Sequence, residues 1–241
     1  MTLTLSIEAV GRTHVGLVRR RNEDSMLVGR ALFAVADGLG GHVAGDVASL
    51  TAIDALRAYD TLVEPTDLAT TLGQAVSEVN SALRRKIIAD EQVAGMGTTL
   101  VSMLFSGTAA AVANVGDSRA YLLRGTDVEH HETIQITDDH TYRRLVASAS
   151  RVPNLPDRLA RFLDGRTDGR SPDLATWHLQ AGDRFLLCSD GLSSYVSHTQ
   201  IHTTLSFPGA PGDVADHLVA LALGHGGPDN ITVVVIDVHA A

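Results

Sequence analysis

Three apolar segments of this chain border an aspartate in a tight polar turn. Asp37 and Asp190 each close such a segment and are followed by glycine, whereas Asp229 precedes the apolar run 231–236. Short apolar runs bounded by turn residues are typical of buried strands. A carboxylate at the end of a buried strand is costly unless a cation or a hydrogen-bond donor meets it. The three carboxylates therefore predict one hard metal centre, since magnesium and manganese prefer oxygen ligands.

Composition and charge exclude several classes of protein. The chain has 241 residues, 44% of them hydrophobic, which is ample for one large or two small cores. No apolar run approaches the ~20 residues of a membrane-spanning helix, and the first residues lack a signal-peptide pattern. Cys188 is the single cysteine, so no intrachain disulfide forms, and we expect a reducing, cytoplasmic location. A net charge of −9 argues against nonspecific nucleic-acid binding.

Apolar periodicity and capping residues predict three main helices. One follows the Asp37 turn, with the expected apolar face Val43, Val47, Leu50 and Ile53. A second runs from about residue 65 to 88, with the apolar stripe Leu68, Leu72, Val76, Val79, Leu83 and Ile87. A third is capped by Asp213 and ends at Gly224, because glycine suits a helix C-terminus. A shorter helix is expected near residues 141–149.

The remaining pattern indicates strands. Residues 5–35 predict two strands around a loop from Gly11 to Asp24. Further strands are expected at 98–105, 109–115, 118–124, 133–136, 176–179, 184–189 and 231–238. The short turns between consecutive strands indicate an antiparallel meander, because parallel crossovers need a dozen or more residues. Runs of strands separated from runs of helices indicate an α+β fold with helices outside the sheets.

Several familiar phosphate-binding motifs do not fit this sequence. A P-loop requires Gly-Lys-Ser/Thr, but the single lysine, Lys86, follows Arg85. Cysteine phosphatases carry an arginine six residues after the nucleophile, where this chain has Ser194. Residues 38–43 lie between a predicted strand and a predicted helix, as a dinucleotide-binding loop would. That alternative lacks the third glycine of its motif.

Six short motifs follow one another in a particular order. They are Arg-Arg-Arg-Asn-Glu-Asp at 19–24, Asp-Gly-Leu-Gly-Gly-His at 37–42, Gly-Met-Gly-Thr-Thr at 95–99, Gly-Asp-Ser-Arg at 116–119, Ser-Asp-Gly-Leu at 189–192 and Asp-Asn at 229–230. In this order the chain resembles the bacterial metal-dependent protein phosphatases of type 2C over about residues 8–238. The resemblance implies one catalytic domain over residues 5–241. Its implied fold is an antiparallel β-sandwich flanked by helices, in four layers α-β-β-α.

The resemblance also implies two Mn²⁺ or Mg²⁺ ions, with a weaker third. The implied metal ligands are Glu23, Asp37, Gly38, Asp117, Asp190 and Asp229. By the same resemblance, Asp37 matches the carboxylate that bridges the first two ions, the Gly38 carbonyl matches a ligand of one of them, and Asp117 matches a ligand of the third. Arg19 matches the arginine that grips the substrate phosphate, a task that suits its planar fork of donors. His42 matches the proposed general acid that protonates the leaving oxygen.

Simpler explanations remain open for individual residues. Each aspartate taken alone is also a common turn former. Asp117 equally suits the cap of a hairpin turn, and His42 an ordinary position at a helix start. His198 and His202 lack the intervening glutamate of a zinc hydrolase and are expected to be surface histidines. Ser194 stands where many relatives carry an aspartate that serves the third ion.

The resemblance implies hydrolysis of phosphoserine and phosphothreonine in proteins. The expected partners are a phosphorylated protein substrate and a cognate serine/threonine kinase, with no nucleic acid and no membrane. The competing hypothesis is a catalytically silent phosphoprotein-binding module, a pseudophosphatase. Loss of the metal carboxylates would be its signature, and they are all present. The segment 146–172 matches the mobile flap of the family only loosely and predicts nothing about substrate selection.

Overall fold

The computed structural model describes residues 5–40, 44–125, 131–145, 158–167 and 171–241, which form eleven strands and six α-helices. The strands are β1 (Leu5–His14), β2 (Asp24–Val28), β3 (Leu32–Leu39), β4 (Gly97–Thr98), β5 (Leu100–Ser106), β6 (Ala109–Val115), β7 (Arg119–Arg124), β8 (Glu132–Gln135), β9 (Asp173–His178), β10 (Arg184–Cys188) and β11 (Ile231–Ala240). The helices are α1 (Gly45–Leu56), α2 (Leu68–Ala89), α3 (Tyr142–Leu145), α4 (Asp190–Ser193), α5 (His198–Leu205) and α6 (Pro211–Gly224).

The strands form two antiparallel sheets. The first sheet has the order β1-β11-β10-β7-β8, and the second has the order β2-β3-β5-β6-β9, with the short β4 paired to β3. Helices α1 and α2 pack on the outer face of the second sheet, while α5 and α6 pack on the outer face of the first. The predicted α+β sandwich with four layers is confirmed.

Alternating side chains of β11 hold the layers together. Val234 and Ile236 point between the two sheets, whereas Val233 and Val235 pack beneath the outer helices. Side chains on a strand alternate between faces, so an apolar residue at every position covers both sides of a buried strand. Between the sheets, the Phe105 ring makes edge-to-face contacts with rings from β3 and β10, at centroid distances of 5.5 and 6.0 Å.

The N-terminal region contains three strands rather than the predicted two. A tight turn separates β2 from β3, and the Asp60 carboxylate accepts the backbone N–H groups of Arg30, Ala31 and Leu32 at 2.8–2.9 Å. Burial disfavours the charged carboxylate, but these hydrogen bonds outweigh it and lower the pKa of Asp60. The turn was missed because the residue that stabilises it lies about 30 positions further along the chain.

The turn at Gly116 carries the chain from one sheet to the other. Strand β6 pairs with β5 and β9, whereas β7 pairs with β8 and β10. The expected meander is therefore wrong at this turn, and so is the alternative that Asp117 caps a hairpin. Gly116 has a φ of 120°, and a Cβ there would lie 2.6 Å from Thr99 Cβ. Only glycine allows this close passage between the sheets.

Helix α2 matches its prediction, and its apolar stripe is buried from Leu68 to Leu83. In α1 the prediction is wrong for Leu50, which is 53% exposed, whereas Ile53 is buried and Val47 packs against the core. Val43 lies outside the described residues. Helix α6 begins at Pro211, so Asp213 lies in its first turn and does not cap it. His202 is half-buried and hydrogen-bonds a threonine on β8, contrary to its expected surface position.

Two further expectations, a short helix near residues 141–149 and the lack of a membrane-spanning helix, can be compared with the described residues only. Of the short helix expected near 141–149, α3 covers Tyr142–Leu145, and residues 146–149 lie outside the described residues. Among the helices in the described ranges, none combines the length and apolarity that crossing a bilayer requires.

Candidate metal-binding and phosphate-binding site

Carboxylates from both sheets meet at one end of the sandwich. Asp37 lies near the end of β3 in the second sheet, and Asp190 begins α4 directly after β10 of the first sheet. Asp229 precedes β11, and Asp117 lies in the crossover between the sheets. The charges of Asp190, Asp117 and Asp229 all act on Asp37, so the fold brings these four predicted residues together.

Two threonines hold the backbone of Asp37. The Thr99 N–H and the Thr98 hydroxyl both donate to the Asp37 carbonyl at 2.9 Å. The Asp37 N–H donates to the Thr99 hydroxyl oxygen at 3.0 Å. All three bonds lie where β3 and β4 pair, so the position of Asp37 is set by backbone and hydroxyl groups rather than by its own carboxylate.

Burial and neighbouring charges raise the pKa values of Asp37, Asp117 and Asp190. Burial and the charge of Asp24 raise the pKa of Asp37 well above its ordinary range. Burial and the charge of Asp229 raise the pKa of Asp190, although a side-chain hydrogen bond to Asp37 opposes that shift. Burial and the charge of Asp190 raise the pKa of Asp117 to about 7. Like charges in a buried site favour protonation, and a divalent cation would displace those protons.

Asp24 belongs to the same acidic cluster and was not predicted as a site residue. It faces Asp37 directly across the β2–β3 pair and is buried. Its Oδ2 atom accepts a hydrogen bond from the Ser189 hydroxyl at 2.7 Å, while Oδ1 has no hydrogen-bond partner among the described residues. Burial raises the pKa of Asp24 to about 7. Its sequence signal was weak, because an aspartate beside Glu23 in a polar motif also suits a loop.

Glu23 and Gly38 present two oxygens over the start of α1. A Cβ added to Gly45 would lie 3.0 Å from Glu23 Oε2 and 3.0 Å from the Gly38 carbonyl oxygen. A Cβ on Gly38 itself would lie 2.0 Å from the Gly45 carbonyl oxygen. The two predicted ligands therefore converge on a space that a side chain would fill. Burial also raises the pKa of Glu23.

The loop that carries Arg19 is fastened by Asn230. The Asn230 amide donates to the carbonyls of Val15 and Arg21 at 2.9 Å each, and its Oδ1 accepts the Glu23 N–H at 2.7 Å. The sequence pattern marked Asn230 only as a neighbour of Asp229 and gave no sign of these hydrogen bonds. One asparagine thus connects the arginine loop to the carboxylate cluster.

Arg19 lies at the rim of this cluster. Its Nη2 donates to Asp229 Oδ2 at 2.7 Å, and its side chain is 51% exposed. A half-exposed guanidinium beside half-buried carboxylates can meet an anion that arrives from solvent.

Comparison with known proteins identifies the family of this chain. The sequence profile described as protein phosphatase 2C matches residues 18–219. The chain belongs to the protein phosphatase 2C family. It is 42% identical to the serine/threonine protein phosphatase PstP of Mycobacterium tuberculosis across 98% of its own residues, but spans only 46% of that relative's length. It is 34% identical to the serine/threonine phosphatase stp of Listeria monocytogenes, over 94% of each chain.

A solved structure of this family has the same fold. The crystal structure of the PstP catalytic domain, in complex with two manganese ions, is 42% identical in sequence and superposes with a TM-score of 0.88. The superposition covers 98% of this chain and 100% of that one. The similarity therefore extends through both sheets and the outer helices of this protein phosphatase 2C chain.

The predicted metal ligands of this protein phosphatase 2C chain lie near one another but do not yet surround a single metal position. Within the described ranges, no three His, Cys, Asp or Glu side chains are already arranged to hold a metal ion. Arg19 engages Asp229, and Asp37 and Asp190 share a hydrogen bond. His42 lies outside the described residues.

Proposed function

We propose that this chain hydrolyses phosphoserine and phosphothreonine in proteins, with two Mn²⁺ or Mg²⁺ ions, through a catalytic domain that spans residues 5–241. The observation that carries the proposal is the meeting of Asp37, Asp190 and Asp229 from two sheets, with Arg19 at their rim. The names of its relatives agree, since PstP and stp are both serine/threonine phosphatases.

The site fits divalent cations on the chemistry of its donors. All proposed ligands are oxygens: Glu23, Asp37, the Gly38 carbonyl, Asp190 and Asp229, with Asp117 for a weaker third ion. The space above Gly45, which a Cβ would fill, suits an ion between these groups, and so do the raised pKa values of Glu23, Asp37, Asp117 and Asp190. When bound, such ions supply Lewis acidity toward the phosphoryl oxygens and toward water.

The protein's own groups would bind and orient the substrate. We propose that Arg19 donates two parallel hydrogen bonds to the phosphate dianion, which its planar fork permits. Its present partner, Asp229, would exchange that bond for a metal ion when the site is loaded. Asn230 keeps the arginine loop in place during this exchange. His42 remains a proposed proton donor to the leaving oxygen, on the resemblance alone.

The third ion has one proposed ligand in the described region. Asp117 lies within electrostatic range of Asp190 and Asp139. Ser194 follows α4 in an exposed position, and its N–H donates to the Asp190 carbonyl at 2.8 Å. A serine hydroxyl is a weaker ligand for a hard cation than a carboxylate, so we expect the third ion to bind less tightly.

A direct assay separates the phosphatase from a silent binding module. The purified chain is mixed with a phosphothreonine peptide, and released phosphate is measured with Mn²⁺, with Mg²⁺ and with EDTA. We expect release that requires added metal and stops with EDTA. A chain that binds the peptide but releases no phosphate under any metal would be the pseudophosphatase. Full activity in metal-free buffer would contradict the proposed metal site.

The physiological setting is proposed from the sequence. We propose that the chain opposes a serine/threonine kinase in the cytoplasm, with a phosphorylated protein as substrate. Phosphoproteomic comparison of cells with and without the protein tests this: phosphosites that rise in its absence are expected to overlap the targets of one kinase. No overlap with any serine/threonine kinase would contradict it.

A further inference from the structure

The motif at residues 95–99 has a buried hydroxyl with no role in the site as described so far. Thr99 is fully buried, lies beside Asp37 and contacts the turn that carries Asp117. It contributes no carboxylate and is too deeply buried to meet a substrate. Its hydroxyl is nevertheless placed between two proposed metal ligands.

The hydroxyl of Thr99 makes two hydrogen bonds at once. It accepts the Asp37 N–H at 3.0 Å and shares a 2.8 Å hydrogen bond with the Ser118 hydroxyl. Because the oxygen of Thr99 accepts from Asp37, its own proton is free to be donated to Ser118. Ser118 is also fully buried and directly follows Asp117. Two linked hydroxyls, those of Thr99 and Ser118, therefore connect the backbone of Asp37 to the residue that follows Asp117.

The surrounding backbone holds the Thr99 and Ser118 hydroxyls in place. Thr99 also donates its own N–H to the Asp37 carbonyl at 2.9 Å, so the two residues are joined at both backbone polar groups of Asp37. On the other side, Gly116 has no side chain and allows the Thr99 methyl to pack against the crossover. A fully buried hydroxyl that is held on both sides can transmit a displacement of Asp37 to Asp117.

We propose that Thr99 is a positioning residue whose hydroxyl sets the distance between Asp37 and Asp117, and so sets the affinity of the metal site. This inference rests on the proposed function, because it assumes that these carboxylates hold cations. Groups that orient metal ligands from the outer shell commonly change metal affinity by about 10- to 100-fold when removed. Arg19, the proposed phosphate-binding residue, makes no hydrogen bond to either hydroxyl.

The test compares Thr99→Val, which removes the hydroxyl at similar size, with Thr99→Ser, which keeps it. Binding of Mn²⁺ to each full chain is measured by isothermal titration calorimetry, beside KM and kcat on a phosphothreonine peptide. We expect the Mn²⁺ dissociation constant of Thr99→Val to rise about tenfold or more. Its kcat should fall at a fixed Mn²⁺ concentration, with little change in KM. Thr99→Ser should bind Mn²⁺ like the parent.

Thr133→Val is the matched control. Thr133 is another buried threonine, and its hydroxyl hydrogen-bonds His202 Nδ1 at 2.8 Å in the outer layer of the first sheet. The Thr133→Val protein should lose stability without a change in its Mn²⁺ affinity. If Thr99→Val does not fold, Ser118→Ala removes the other of the two linked hydroxyls. It should weaken Mn²⁺ binding more than the Thr133→Val control does.

Three outcomes would overturn the inference. One is a Thr99→Val protein that binds Mn²⁺ as tightly as Thr133→Val. Another is an equal loss in Thr99→Ser, which would assign the effect to the methyl group that packs on Gly116. The third, where Thr99→Val does not fold, is a Ser118→Ala protein with Mn²⁺ affinity equal to the control. A parent chain that neither binds Mn²⁺ nor releases phosphate would instead contradict the proposed function itself.

Discussion

Asp24 on β2 and Asp37 on β3 are paired directly across an antiparallel hairpin, at the point where the two strands reach the acidic cluster. Like charges directly opposite each other in a sheet are destabilising. The Ser189 hydroxyl donates to one oxygen of Asp24, and burial together with the charge of Asp24 raises the pKa of Asp37. A pairing that works against the stability of the metal-free fold is what we expect if these carboxylates serve the proposed cation site.

The metal-free protein is expected to lose stability as pH rises from about 4 to about 7. Unfolded aspartates titrate near pH ~4, whereas burial raises the pKa of Asp24 and of Asp117 to about 7 in the folded protein. Between these values the folded protein holds protons that the unfolded chain has released, so stability falls with pH and then levels off. Melting temperatures recorded in EDTA across this interval measure the effect.

The matched variant for the pH experiment carries Asn at both positions, Asp24→Asn and Asp117→Asn. Asparagine removes the titrating groups at similar size, so the slope between pH ~4 and ~7 should flatten. A parent protein whose melting temperature rises steadily through this window would show that the two carboxyl groups are not buried as described.

Asp37→Asn is expected to reduce phosphate release by at least ~100-fold, because it removes the proposed bridge between two cations. The metal-free fold should be at least as stable as the parent, since one of several repelling carboxylates is gone. Steady-state kinetics and thermal unfolding in EDTA check the two parts. Asp213→Asn, in the first turn of α6, is the control. Near-normal turnover of Asp37→Asn would mean that Asp37 is only a turn residue.

Arg19→Ala is expected to raise KM for a phosphothreonine peptide by about 10- to 100-fold, because hydrogen bonds to charged groups contribute ~1.5–3 kcal/mol. Arg19→Lys should restore only part of the affinity, since an ammonium lacks the planar fork. The neighbouring Arg20, which is exposed, supplies the control Arg20→Ala. Equal effects at both positions would point to general charge attraction instead of phosphate binding by Arg19.

Gly45→Ala is expected to weaken Mn²⁺ binding without unfolding the protein. Alanine is favourable in a helix, but its Cβ would lie 3.0 Å from Glu23 Oε2 and from the Gly38 carbonyl oxygen. Both proposed ligands must then move by a few tenths of an ångström or more. Calorimetric titration with Mn²⁺ measures the loss, which we expect to be about tenfold or more.

Gly73→Ala in α2 is the control for that change. A Cβ at Gly73 would meet only the Leu174 side chain, at 3.3 Å. It should have parent-like Mn²⁺ affinity. Unchanged Mn²⁺ affinity in Gly45→Ala would mean that Glu23 and Gly38 are not ligands.

Local patterns in the sequence predicted much of this fold correctly. The stripe of α2 and the apolar run of β11 depend on neighbours within a few residues, and both were placed well. The features that were missed depend on distant partners. Asp60 stabilises a turn about 30 residues away, and the Gly116 crossover depends on packing against Thr99. No periodicity within either segment records such contacts.

The same distinction applies to the candidate site. The aspartates in glycine turns were recognisable because a carboxylate at the end of an apolar run is unusual. Asp24 was missed because its burial follows from its register with Asp37, which only the folded hairpin defines. Asn230 carries no charge, and its three hydrogen bonds to residues 15–23 span more than 200 positions of sequence.

Asp37 is carried by one sheet, whereas Asp190 and Asp229 are attached to the other. An ion held among them would link the two sheets of the sandwich to each other, at one end only. Chelation would then release that end while the opposite end, where Asp60 holds the β2–β3 turn, stays closed. The amides of β4 and of the Gly116 turn would report this difference as faster hydrogen exchange in EDTA, and those around Asp60 would not.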